Sequence, residues 1–220
     1  DDLFLLKREF RALANFGHPN LVQLYDLDVG AGHAFFTMEL VPGADFLTAF
    51  GRRPGTGPRD GAALVAAVRQ LAEGLAALHA YGKLHRDLKP SNVLVVDQDG
   101  KRLPKIIDFG VAKATAQRLT EKTVYTELGV LIGTPEYMSP EQAELTGEDV
   151  DTRTDVYSLG VMLYELLVGA LPFESKELRG AGLEGIQRKI REEEPRRPSA
   201  RLSTLGDERS ESPSAAWLAT

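Results

Sequence analysis

The sequence predicts an α+β protein whose strands gather in two places and whose remainder is mainly helical. Strand-like runs come in neighbouring pairs, 21–27 with 34–40 and 93–96 with 105–107, each pair joined by a glycine-containing turn. Apolar residues at helical spacing fill the stretches around them. Of the 220 residues 43% are hydrophobic and 26% charged, the balance of a soluble chain with a substantial core.

Taken in order, residues 3–16 read as a helix, with Leu3, Leu6, Phe10, Leu13 and Phe16 close to its period. Gly17-His18-Pro19 ends it. The strands over Leu21 to Leu27 and Ala34 to Leu40 meet at Gly30 to Gly32, and Pro42-Gly43 breaks the second. A Gly- and Pro-rich loop runs from Gly51 to Pro58. Asp60 is placed to cap a long helix with Leu64, Val68, Leu71, Leu75 and Leu78 on one face, and Gly82 suits its left-handed end. Val93 to Val96 and Lys105 to Ile107 form a hairpin around Asp97 to Gly100. Residues 111–135 are polar, threonine-rich and without period, hence a loop. A helix from about Thr154 to Val168, stopped by Gly169, is apolar enough to be buried on most sides. Leu183 to Glu194 is amphipathic. From Pro195 on, Pro, Ser, Arg and Glu dominate, the composition of an ill-ordered tail.

The gross properties exclude several classes of function. A net charge of -6 and a pI near 5.3 argue against nucleic-acid binding, which needs a basic face. The absence of cysteine removes disulfides, thiolate metal sites and cysteine nucleophiles. The longest apolar stretch, Val156 to Phe173, carries Glu165 and ends in Gly169 and Pro172, so it reads as a buried helix and not a membrane segment. The first residue is Asp1 rather than Met, so the natural N-terminus is expected upstream.

One constellation carries chemistry. His85-Arg86-Asp87-Leu88-Lys89-Pro90-Ser91-Asn92 is followed, sixteen residues after Asn92, by Asp108-Phe109-Gly110. Asp87 and Lys89 flank Leu88, so both polar side chains project to one side of an extended segment while Leu88 packs. Asp87 is a candidate base for a hydroxyl, and Lys89 a cation for a transferred phosphoryl group. Asn92 and Asp108 are hard oxygen ligands suited to magnesium, and the hairpin between them brings them together. Each half alone could be an unrelated polar turn; both in this order make that implausible. Asp155 opens the buried helix and is placed to accept N–H bonds from the Asp87 loop, a structural role.

These residues resemble those of a eukaryotic-type protein kinase domain, of the Ser/Thr sort common in bacteria. The resemblance covers roughly residues 1–205 and implies a two-lobed fold: residues 1–41 as the remnant of a small sheet lobe, 42–195 as a helical lobe with the catalytic and activation loops, and 196–220 as a disordered or truncated tail. It implies transfer of the ATP γ-phosphate to protein Ser or Thr hydroxyls, with magnesium, in signalling. Met38, Glu39 and Val41 would hold adenine at the linker between lobes, with Leu94 as the pocket floor. Glu9 would pair with a lysine on a preceding strand, and Leu13 would pack on Phe109. Arg86 would meet a phosphate on the activation loop, with Thr126 the first choice of phosphosite among Thr120, Thr123, Tyr125 and Thr126. His85 would be a structural histidine behind Phe109. Gly133-Thr134-Pro135-Glu136-Tyr137-Met138-Ser139-Pro140-Glu141 resembles the end of that loop, with Ser139 where the family usually has Ala. Thr134 would contact Asp87 and Lys89, which fits Ser/Thr specificity, and Glu141 would anchor the segment.

The sequence also departs from the family. No glycine-rich phosphate loop precedes Glu9, no strand lysine is available to pair with it, and no arginine stands ready for Glu141. Residues after about Leu205 match nothing in the pattern. The expectation is therefore that these 220 residues alone have little kinase activity, although the complete protein is a kinase. Two alternatives stay open: a pseudokinase-like binding module, and an aminoglycoside-type small-molecule phosphotransferase. Lys89, Phe109-Gly110 and the Thr134–Glu141 segment favour the protein kinase over the latter. The expected partners are protein substrates, with no nucleic acid and no membrane segment in this chain. The expected location is cytoplasmic, with a membrane anchor elsewhere left open.

Overall fold

The structure is a computed structural model that describes residues 2–30, 33–50, 61–109, 134–144 and 150–210. Its elements are numbered in chain order among those residues. Helix α1 (Asp2–Ala14) turns Phe10 and Leu13 inward and leaves Phe4 in solvent, as its apolar period requires. Strands β1 (Leu24–Gly30) and β2 (His33–Met38) form an antiparallel hairpin, and Phe10 of α1 packs against Phe36 at 6.2 Å between rings. A second sheet has the order β3 (Ala44–Asp45), β4 (Val93–Gln98), β5 (Lys101–Ile106), all antiparallel.

The β4–β5 turn has two residues, Asp99 and Gly100, with φ of 54° and 74°. Two positive φ values in a two-residue loop make the turn whose twist matches the strands, and Asp97 Oδ1 accepts from Gly100 N at 3.0 Å. Register follows: Val93 lies opposite Ile106. The chain between α1 and β1 joins this sheet at its β5 edge, since Val22 N donates to Ile106 O and Ile106 N to Asn20 O. Asn20 Nδ2 also donates to Pro104 O at 2.9 Å. The hairpin near the N-terminus is thereby fixed to the one that carries the predicted magnesium ligands.

Helix α3 (Gly61–Ala80) follows α2 (Phe46–Phe50) and buries Leu64, Ala67, Leu71, Gly74, Leu75 and Leu78. Gly74 lets the Asn20 segment approach, because a Cβ there would stand 3.1 Å from Asn20 Cβ. At its end Gly82 has φ 72°, and Lys83 N donates to Leu78 O, a glycine-terminated helix stop. The proposed cap Asp60 lies outside the described residues. By length and composition α3 is the one helix among the described residues apolar enough to cross a membrane, yet its apolar face packs within this core.

Helix α4 (Pro140–Ala143) leads to α5 (Thr152–Val168), which starts at the Asp151 cap and stops at Gly169, φ 79°. As expected, α5 is buried on most sides, with Val161, Met162, Tyr164, Leu166 and Val168 inside, while Val156 (61% exposed) and Leu167 (53%) face out. Helices α6 (Ser175–Gly180) and α7 (Gly182–Glu192) build a separate small cluster from Ala143, Phe173, Leu178, Ile186 and Ile190.

The ill-ordered tail expected from Pro195 is not found over α8 (Pro198–Ser210). Pro198 starts this helix, where its fixed φ and missing N–H cost nothing. Tyr164 Oη donates to Arg196 O at 2.8 Å, and Arg201 pairs with Glu174. Composition alone could not show these tertiary partners. One large core contains Phe10, Leu13, Leu21, Leu71, Ile106, Phe109, Met162 and Leu166, so it runs from α1 through both hairpins to α5.

Gly43 lies flat on β4, and a Cβ there would meet Val95 O at 2.4 Å and Val95 C at 2.8 Å. Backbone atoms cannot step aside as a side-chain end can. Gly43→Ala is expected to lower the unfolding free energy by roughly 1–3 kcal/mol in urea titration; an unchanged midpoint would show that β3 is not held against β4 as described.

Candidate active site

Asp155 organises the site from below. It sits in the first turn of α5, fully buried. Its Oδ2 accepts from His79 Nε2 at 2.7 Å and from His85 N at 2.9 Å, and its Oδ1 accepts from Arg86 N at 2.8 Å. His85, also fully buried, accepts from Asp87 N on Nδ1 and reaches Ile107 O with Nε2 at 3.0 Å. This pattern fits the neutral imidazole protonated on Nε2. Arg86 lies between them with φ 64°, a left-handed conformation that a side chain normally avoids.

The loop surface above this anchor carries the polar groups. Leu88 is 1% exposed and packs inward, so Asp87 and Lys89 face the same way. Lys89 Nζ stands 3.2 Å from Asp87 Oδ2 and donates to Thr134 Oγ1 at 3.3 Å. Asn92 ends the 3₁₀ turn Pro90–Asn92 and donates from Nδ2 to Asp87 O at 2.9 Å and to Asp87 Oδ2 at 3.3 Å. Ile107 N donates to Asn92 O at 2.9 Å, so Asp108, the next residue, opens at the same end of the hairpin. Asp108 is exposed, with φ 59°, and Phe109 behind it is buried in the core with Leu13.

The donor set fits magnesium. With Nδ2 of Asn92 engaged by Asp87, its Oδ1 is the atom left for a metal, and Asp108 adds a carboxylate. Among the described residues no group of three or more His, Cys, Asp or Glu side chains could hold a metal by itself. A two-ligand site completed by phosphate oxygens and water matches magnesium's preferences.

Met38 ends β2, and Glu39 and Val41 follow it. Glu39 N donates to Gln23 O, and its carboxylate takes Lys105 Nζ at 2.8 Å. Lys105 pairs across the sheet with Leu94, so the segment is tied beside the proposed pocket floor. Val41 is buried, while Met38 is 39% exposed and Leu40 87%.

The descending segment is docked as firmly. Ser139, Pro140, Glu141 and Gln142 form a reciprocal helix cap: Gln142 N donates to Ser139 Oγ, and Ser139 N to Gln142 Oε1. Thr154 Oγ1 donates to Glu141 Oε1 at 2.6 Å, and Ser139 Oγ donates to Thr154 Oγ1. Ser158 Oγ donates to Tyr137 O at 2.8 Å. The first turns of α5 thus hold this segment and the loop carrying His85 and Arg86 at once.

Several participants escaped the sequence reading. Glu9 pairs here with Lys83, from the loop after α3, and not with a strand lysine. His79, Gln142 and the pair Tyr137–Glu165 were also missed. Of these only Gln142 had a local signal, the Ser-x-x-Gln spacing of a capping box. Thr126 lies outside the described residues, as do Thr120, Thr123 and Tyr125.

Beside Thr134 lies an acidic group. Tyr137 Oη donates to Glu165 Oε2 at 2.5 Å, and Glu136 takes Arg179 on Oε1 while its buried Oε2 has no partner among the described residues. Burial pushes the Tyr137 hydroxyl up strongly, helped by the Glu165 carboxylate. Burial also raises Glu165, with the Tyr137 bond opposing and the Glu136 charge adding.

Comparison with known proteins places the chain. Residues 4–214 match the family model described as "Protein kinase domain", which extends past Leu205, where the sequence reading found no further likeness. "Serine/threonine-protein kinase pkn2" of Myxococcus xanthus is 41% identical over 76% of this chain and 19% of its own length. "Serine/threonine-protein kinase pkn3" of the same organism is 37% identical over 90% of this chain and 35% of its own. "Serine/threonine-protein kinase PknL" of Mycobacterium tuberculosis is 41% identical over 79% of this chain and 41% of its own. The chain thus spans less than half the length of these curated relatives.

Two expectations follow. Asp155→Ala strands two buried N–H donors and His79, and should cost about 3 kcal/mol or more in chemical denaturation; a loss under about 0.5 kcal/mol would contradict the anchoring role. Glu165 holds its proton more tightly folded than unfolded, so its contribution to stability is present below the ordinary value of 4.5 and is lost as pH rises through the raised value. Glu165→Gln keeps an acceptor for Tyr137 and should gain in melting temperature relative to wild type as pH rises from that value. A difference independent of pH would refute the assignment.

Proposed function

We propose, for a chain that belongs to the protein kinase domain family, that it carries the catalytic centre of an ATP-dependent serine/threonine protein kinase. The observation that supports this best is the contact set of Lys89: its Nζ lies between Asp87 Oδ2 and Thr134 Oγ1, while Asn92 bonds the same aspartate. Base, cation and metal ligand therefore converge on one point.

In this reading Asp87 orients an incoming Ser or Thr hydroxyl and takes its proton. A bond forms from that oxygen to the γ-phosphorus of ATP as the bridging P–O bond to ADP breaks. Lys89 offsets charge on the transferred group. Magnesium, held by Asn92 and Asp108, would neutralise phosphate charge. Met38, Glu39, Val41 and Leu94 take the adenine. Arg86 receives a phosphate on the activation segment, with Thr126 as donor position, and Glu9 reports the state of α1. His85, Phe109, Glu141 and Asp155 support the frame. We assign residues 1–41 to a small lobe and 42–195 to a large one, protein substrates as partners, and the cytoplasm, where ATP is supplied, as location.

A second reading, nucleotide binding without turnover, has one observation in its favour: the Glu9 carboxylate is taken by Lys83. Nucleotide-dependent thermal stabilisation with no phosphate transfer would support it.

In the full-length protein, Asp87→Asn is expected to lower kcat by about 10²–10⁴-fold in a radiolabelled phosphate-transfer assay. Asp108→Ala should abolish the magnesium dependence of nucleotide binding. Wild-type rates in either variant would rule this site out.

A further inference from the structure

We propose that Gln142 is a positioning residue for phosphoryl transfer, coupling the docked end of the activation segment to the backbone beside Asp87. The inference rests on the kinase reading above. Its basis is that the two ends of the Gln142 amide do different work. Oε1 accepts from Ser139 N at 3.1 Å and completes the helix cap. Nε2 crosses to the catalytic loop and donates to Arg86 O at 2.8 Å.

Arg86 is the residue where such a bond matters. Its left-handed φ of 64° is unfavourable for a side chain and persists only if the surroundings hold it. Asp155 holds its N–H from α5, and Gln142 holds its carbonyl from α4. That carbonyl belongs to the peptide bond leading into Asp87. A rotation of this peptide would swing the Asp87 carboxylate away from Lys89, whose Nζ is 3.2 Å distant. Asp155 is fixed in α5, whatever the activation segment does. Gln142 directly follows the end of the activation segment at Glu141, and its bond exists only when Ser139 to Gln142 are docked. Thr134, bonded to Lys89, is a second tie from the same segment to the same loop. Together they make the placement of Asp87 conditional on the docking of that segment.

A purely structural cap and a positioning residue can be told apart by one substitution. Glutamate serves a capping box as well as glutamine, so Gln142→Glu keeps the bond to Ser139 N. It replaces the donor facing Arg86 O with an acceptor, which repels. In the full-length protein we expect kcat to fall about tenfold. KM for ATP and the melting temperature should stay close to wild type. Amide exchange in the segment 85–88, read by mass spectrometry, should accelerate severalfold. Gln142→Met, of similar length and without a donor, should show the same kcat and exchange changes if Gln142→Glu does not fold. Unchanged kcat together with unchanged exchange in 85–88 would overturn the proposal. If wild type transfers no phosphate, the kinase reading itself fails, and the exchange rates alone then decide whether Gln142 holds the loop.

Discussion

The Asp155 carboxylate is the interaction on which the rest of the site depends. Removing an ionised carboxylate from water is expensive unless donors replace the lost hydration. Here three donors do so: the ring of His79, and the N–H groups of His85 and Arg86. They come from α3 and from the loop after it, while the carboxylate comes from α5. One buried group therefore joins two helices and the loop between them. It also satisfies two backbone donors that a buried loop would otherwise leave unpaired. The adjacent Thr154 does the same for the activation segment through Ser139 and Glu141.

This division of labour explains how a loop can hold chemistry. A loop has no repeating hydrogen-bond ladder, so its geometry must come from outside. Below, buried Leu88, His85 and Asn92 lock it to the core. Above, Asp87 and Lys89 stay partly open, with side-chain exposures of 36% and 22%. The hairpin β4–β5 serves both levels: its turn sets the register, and the register places Asp108 beside Asn92. Polar groups near developing charge are most effective when already oriented, and that is what the rigid layer provides. The acidic pair Glu136 and Glu165, next to Thr134, is less settled energetically, with one buried oxygen of Glu136 unpartnered among the described residues.

Legibility from sequence followed the range of the interaction. The Asp99-Gly100 hairpin, the Gly82 and Gly169 helix stops and the Leu64 to Leu78 face are local signals, and each was readable. So was the Asp87–Asn92–Asp108 spacing, because a hairpin links its halves. What was not readable depends on partners far along the chain. Glu9 meets Lys83, 74 residues away, and Gln142 reaches Arg86, 56 residues away. The order of α8 is of the same kind: its Pro- and Ser-rich stretch reads as tail until Tyr164 and Glu174 supply contacts. Burial of α5 on most sides was readable, but not which side stays open at Val156 and Leu167, since composition shows how apolar a helix is and not which faces have neighbours.

The most direct test of this account is amide hydrogen exchange at His85 and Arg86 in the full-length protein. If Asp155 holds both N–H groups in the interior, they should exchange as slowly as the core amides of α3 and α5, although they lie in a loop. Exchange at the rate of an exposed loop would show that the carboxylate does not carry them, and the site would lose the anchor from which its geometry derives.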